Sequence, residues 1–199
     1  MLRGRVLIAS SEPHPECAGR FLHDIATDWQ LPLVDAARRL QPGSAIYFLM
    51  AEEDVQRILA FDETMVGSDG IPLGDHPHPR LWGTFPRVLG RYVHREQVTP
   101  LAHAIFKMTG ATARALRLRD RGLLRVGLCA DVTLFEPDVF LDLSTYQDPH
   151  RYPAGQRTTV LVNGVVVIDN AQHTGALPGR VLRRSADGSV GFNAPANSP

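Results

Sequence analysis

A chain of 199 residues, 44% hydrophobic and 21% charged, can bury the core of one ordinary domain, or of a domain with a small appendage, and its composition excludes a disordered chain. Its 21 lysines and arginines balance 21 aspartates and glutamates, which excludes a basic field for nucleic acid and leaves a small molecule or another protein as the partner. Cys17 and Cys129 lie far apart without metal-ligand spacing, so neither a zinc knuckle nor a disulfide scaffold is expected and both read as buried free thiols.

In chain order, residues 5–9 (RVLIA) form a short apolar run ending in Ser-Ser-Glu-Pro, the pattern of a buried strand feeding a loop. That run is too short for a signal-peptide core and no later window approaches a membrane span, so no membrane is expected and the cytoplasm is favoured. Phe21, Leu22, Ile25, Ala26 and Trp29 recur at helical spacing, and Leu33, Ala36, Ala37 and Leu40 do so again after Pro32. A second strand is predicted over residues 45–50 (AIYFLM). It opens onto Glu52, Glu53 and Asp54, acids that suit the first turn of a helix carrying Val55, Ile58 and Leu59. A third short strand, residues 64–66, ends at the sequence GSDG, and the alternation so far reads as parallel βα units.

Helices are predicted next over residues 85–96, 99–108 and 111–118. The middle one has Thr99 as N-cap, Pro100 at the first helical position and Gly110 as its stop. After residue 121 the texture turns to antiparallel β. Residues 130–135 (ADVTLF) alternate, and residues 158–168 (TTVLVNGVVVI) are two β-branched runs joined by Asn163-Gly164, a two-residue hairpin signal. From Ser185 small and polar residues predict a frayed tail. Three βα units cannot close a (β/α)8 barrel, which takes about 250 residues. The chain therefore reads either as a small open α/β sheet or as the last part of something larger.

The chemistry concentrates in GSDGIPLGDHPHPR. Asp69 is expected just past a strand end, where α/β architectures place working residues, and Gly67 and Gly70 beside it allow a sharp turn and a close ligand. Ser68-Asp69-Gly70 reads equally as a plain turn. Asp75, His76 and His78 have zinc-ligand side chains. The prolines alternating through His76-Pro77-His78-Pro79 cannot join a central ladder, however, and the two histidines are expected to be hydrogen-bonding loop residues, not ligands. Arg80 suits a bidentate grip on a carboxylate, or is a solvated surface arginine. Tyr47 and Met50 fall on opposite sides of a regular strand and read by default as core.

The stretches HPECAGRFLHDIA, SAIYFLMAEEDVQRIL, MVGSDGIPLGDHPHPRLWGTFPRVLGRYV, IFKMTGATARALRLRDRGLLRVGLCADVTLF, VLVNGVVV and HTGALPGRVL together resemble, in order, the C-terminal part of the N-acyl-D-amino-acid deacylases (D-aminoacylases) of the amidohydrolase superfamily. The resemblance covers nearly the whole chain to about Arg184. It implies an α/β fold: C-terminal βα units of a (β/α)8 barrel over residues 1–121, a segment of a composite antiparallel β-domain over 122–184, and a flexible tail over 185–199. It also implies zinc-dependent hydrolysis of the amide of an N-acyl-D-amino acid. Asp69 would be the general acid/base, Arg80 the holder of the substrate α-carboxylate, and Tyr47 and Met50 the lining of a mostly apolar side-chain pocket.

The family's metal ligands, a His-x-His pair, a cysteine and two later histidines, belong upstream of anything that matches Met1. Cys17, in HPECAGR, does not substitute for them. The resemblance thus implies zinc in the complete enzyme, no metal ligand in these residues and no activity without an N-terminal barrel half, which a partner chain would supply. The alternative is a non-catalytic product of a split or truncated gene, serving as a binding or interaction module.

Overall fold

The computed structural model describes residues 5–72, 74–151, 157–185 and 187–191. The chain groups into two compact units, one from Met1–Phe61, Ser68–Phe85 and Asp142–Pro153, the other from Asp62–Gly67, Pro86–Leu141 and Ala154–Pro199.

In the first unit, β1 (Val6–Ser11) pairs with β2 (Gly43–Tyr47), Leu7 opposite Ile46 and Val6 opposite Tyr47. The pairing is antiparallel, which corrects the parallel βα reading of this stretch. The reason lies in the connection. A single returning helix leaves consecutive strands parallel, whereas here α1 (Leu22–Asp28) and α2 (Leu33–Arg39) follow one another between the strands. Two helical passes bring the chain back to the end it left, so β2 runs against β1.

Both faces of β1 are covered. Leu7, Ala9 and Ile46 pack with Phe21, Phe48 and Tyr146, while Ile8 packs with Cys17, Ile25 and Leu40. Double burial explains why β1 reads as an unbroken apolar run. Cys17 is the expected buried free thiol, and burial pushes its pKa up. The strand predicted to reach Met50 stops at Tyr47: among the described residues the ladder ends at Val6, and beyond it only the carbonyl of Arg5 takes the Phe48 N–H. Helix α3 (Glu52–Ala60) follows, with the three acids in its first turn as predicted. Helix α4 (Arg80–Arg87) starts before the predicted residue 85 and continues as a π-helical stretch, Val88–Arg95. Pro86 inside α4 has no N–H to give the usual helical bond, and the wider winding begins two residues later.

In the second unit, α5 (Leu101–Met108) and α6 (Gly110–Leu116) divide at Thr109, whose φ of −132° and ψ of −86° break the helix. Gly110, predicted as a stop, opens α6 instead. Thr99, predicted as a cap, turns its hydroxyl to His103 Nδ1 at 3.0 Å. Residues 64–66 form no strand, since no described segment lies beside them in a ladder; the Val66 N–H goes to the Lys107 carbonyl. Strands β3 (Val132–Leu134), β4 (Thr159–Val162), β5 (Val165–Asp169) and β6 (Gln172–His173) make an antiparallel sheet in that order. Asn163 at φ 49° and Gly164 at φ 80° form the two-residue turn that the hairpin signal predicts. Within the stretch predicted to fray, β8 (Val190–Gly191) pairs with β7 (Arg183–Arg184); residues 192–199 lie outside the described residues. Among the described residues no helix is long and apolar enough to cross a membrane.

Candidate active site

Asp69 has a left-handed backbone, φ 48°, a conformation that aspartate tolerates better than most residues because its short side chain bonds locally. It sits in a turn and not at a strand end, since the strand expected before it does not form. Ser68 Oγ accepts the Gly70 N–H at 3.3 Å, and Gly70 lies so close to α4 that a Cβ there would stand 3.0 Å from Leu81 Cα. The turn thereby meets the helix that carries Arg80. Asp69 Oδ2 is 2.9 Å from Arg80 Nη2, with the carboxylate 75% exposed. Arg80 Nε is buried and has no hydrogen-bond partner among the described residues, so one donor of the guanidinium is held dry and unused.

The two histidines of HPHPR behave as loop residues, as expected. His78 Nδ1 accepts the Arg80 N–H at 2.9 Å, and its Nε2 faces Tyr146 Oη at 3.4 Å. His76 Nε2 donates to the Tyr146 carbonyl at 2.5 Å. The Asp75 carbonyl accepts from His150 at 2.9 Å. Among the described residues no group of three or more His, Cys, Asp or Glu comes together as a metal ion requires. These residues do not fit a zinc centre.

Tyr47 and Met50 are 63% and 66% exposed, so neither is core. Tyr47 lines a cavity of about 230 Å³ with Val6, Ser10, Leu22 and Leu40, on the Ile8 side of the sheet. The described hydrogen bonds, ion pairs and ring contacts bring Asp69 and Arg80 together and join neither to Tyr47 or Met50.

Sequence reasoning overlooked Tyr146, which touches both histidines and rests on the Phe48 ring at 4.7 Å; nothing in its local sequence marks it. It also overlooked Lys107, fully buried in the second unit with Nζ donating to Thr64 Oγ1 at 2.7 Å. Desolvation lowers the Lys107 pKa, against the opposing charge of Asp62. Cys129, read as buried, is half-buried, its Sγ 3.4 Å from Arg121 Nη2.

The sequence profile of the Amidohydrolase family matches residues 24–168. The chain is 47% identical over 186 residues to the D-aminoacylase of Alcaligenes xylosoxydans xylosoxydans, covering 94% of this chain and 38% of that protein. To the N-acyl-D-glutamate deacylase of the same organism it is 49% identical over 181 residues, 91% of this chain and 37% of that protein. Among solved structures it resembles the N-acyl-D-glutamate deacylase of Bordetella bronchiseptica, complexed with zinc and a phosphonate that mimics the tetrahedral intermediate. The TM-score is 0.80 at 43% identity, over 94% of this chain and 36% of that one. The chain thus spans a little over a third of the length of these relatives.

Proposed function

The chain belongs to the amidohydrolase family, and from that premise we propose that its residues supply the acid/base and the substrate-carboxylate clamp of an N-acyl-D-amino-acid deacylase. The observation that carries this reading is the contact between Asp69 and Arg80 at 2.9 Å. In an N-acyl-amino acid the scissile nitrogen and the α-carboxylate hang on one carbon, about 2.5 Å apart. A group that protonates the first and a cation that holds the second must therefore stand side by side. Arg80 offers more than it uses, since Nε and Nη2 form one edge of the guanidinium and only Nη2 is paired. A substrate carboxylate that takes Nη2 in place of Asp69 releases the Asp69 oxygen for chemistry.

Asp69 then accepts a proton from the attacking water as the water oxygen bonds to the acyl carbon. It delivers that proton to the amide nitrogen as the C–N bond breaks. The products are a carboxylic acid and a D-amino acid, and Asp69 returns to its starting state. Tyr47 and Met50 line the side-chain pocket and favour an apolar substrate. Metal-binding groups are assigned to polypeptide beyond the described residues, as further sequence or as another chain. The same polypeptide supplies the neighbours that make residues 64–66 the last strand of a (β/α)8 barrel. The β3–β6 sheet belongs to a small β-domain, and the antiparallel β1–β2 pair stands apart from the parallel barrel sheet.

The test combines this chain with the N-terminal portion of a D-aminoacylase relative and zinc, and follows amine release from N-acetyl-D-leucine. Asp69→Asn, which keeps a side chain tolerant of the left-handed turn, is expected to lower kcat about a hundredfold to ten-thousandfold. An Asp69→Asn assembly as active as its parent overturns the assignment, and hydrolysis by the unassisted chain with zinc overturns the need for further polypeptide.

A further inference from the structure

We propose that His78 is a positioning residue for Arg80: its Nδ1 caps helix α4 and fixes the turn from which the guanidinium reaches Asp69. The inference rests on the reading of Arg80 as the carboxylate clamp. A helix begins with backbone N–H groups that have no partner inside it, and a cap side chain normally supplies an oxygen from Ser, Thr, Asp or Asn. Immediately before α4 stands Pro79, which has no N–H to satisfy. The next N–H, that of Arg80, donates to His78 Nδ1 at 2.9 Å. Leu81 N–H returns to the His78 carbonyl at 3.0 Å, and Gly83 N–H to the Pro79 carbonyl at 2.9 Å. His78 thus caps the first N–H of α4 from just outside the helix, with a ring nitrogen where a side-chain oxygen would ordinarily stand.

The bond settles the tautomer. A backbone N–H can only donate, so Nδ1 carries no proton and the imidazole proton sits on Nε2. From there it points toward Tyr146 Oη at 3.4 Å, with the two rings edge-on at 5.3 Å between centroids. Tyr146 in turn rests on Phe48, and both pack on the buried cluster of Leu7, Ala9 and Ile46. His76 completes the brace, since its Nε2 bonds the Tyr146 carbonyl and must also carry the proton. One residue, Tyr146, therefore holds both histidines of the motif, and the outer one transmits that fixation to the backbone of Arg80. The pair that looks like a metal site in the sequence is a mount for the arginine.

The test is made on the 199-residue chain. Histidine-ring nitrogen NMR is expected to show His78 as the neutral Nε2–H form, with Nδ1 unprotonated. Hydrogen exchange of the Arg80 amide is expected to quicken about fivefold to tenfold in His78→Ala, the loss typical of a helix cap. It should stay near the parent rate in His78→Asn, whose Oδ1 can accept the same N–H. A proton on Nδ1, or an Arg80 amide indifferent to His78→Ala, overturns the proposal; should His78→Ala fail to fold, the tautomer of the parent decides. Neither readout involves hydrolysis. A correct cap in an assembly where Arg80 proves irrelevant to substrate would sink the deacylase reading alone.

Discussion

At the scale of single residues, the site comes down to what a guanidinium can do that an ammonium cannot. Arg80 has two donors on one edge, Nη2 on Asp69 and Nε buried and unsatisfied. A lysine offers a point charge without that fork. If the proposed deacylase assembly forms, Arg80→Lys is expected to raise KM for N-acetyl-D-leucine about tenfold to a hundredfold, the worth of one charge-assisted hydrogen bond, with kcat changed far less. Steady-state kinetics check this, and a loss confined to kcat would remove Arg80 from substrate binding. The residue types of this pair were legible as candidates, although the local sequence reads equally as a plain turn and a solvated arginine and only the family resemblance implies their roles. Their surroundings were not. Tyr47 and Met50 read by default as core within an unbroken apolar run, and only the resemblance makes them pocket lining; the ladder ends at Tyr47 and leaves both exposed. The cap on Arg80 was hidden because histidine is an unusual capping residue.

At the scale of elements, local signals translated well and long-range pairing did not. Asn163-Gly164 specifies its turn through two backbone angles, so the hairpin could be read directly. The direction of β2 depends on the passes the chain makes between strands, a property of helices that no strand pattern records. Helix α5 shows the limit most sharply: Phe106 is 44% exposed while Lys107, its neighbour, is fully buried. That inversion has a measurable consequence. Desolvation places the folded-state pKa of Lys107 below its ordinary 10.5. Across the window from that lowered pKa up to 10.5, the unfolded chain binds more protons than the folded one, and stability rises with pH. Lys107→Met keeps the volume and removes the titration. Denaturant unfolding between about pH 8 and about pH 10 should show a rise for the parent that is flattened in the variant; parallel curves would mean that the amine is solvated.

At the scale of the whole molecule, the question is what covers the apolar side chains left in water. Exposed hydrophobic residues scattered singly are ordinary. Here Tyr47, Leu49 and Met50 stand exposed within four residues, and in the second unit Leu124 and Val126 are 86% and 102% exposed. The relatives contain much more polypeptide than the part this chain matches, and such polypeptide is the natural cover. A partner that binds only the folded chain stabilises it by mass action, about 2.7 kcal/mol at a hundred times its Kd. The N-terminal portion of a D-aminoacylase relative should therefore raise Tm in proportion to the logarithm of its concentration. In size-exclusion chromatography with light scattering the two should also elute as a discrete heterodimer. A chain that is monomeric, melts cooperatively and ignores that portion would instead be a module with a surface of its own. The deacylase reading would then lose its main structural requirement, because Asp69 and Arg80 would have no metal-bearing half to work against.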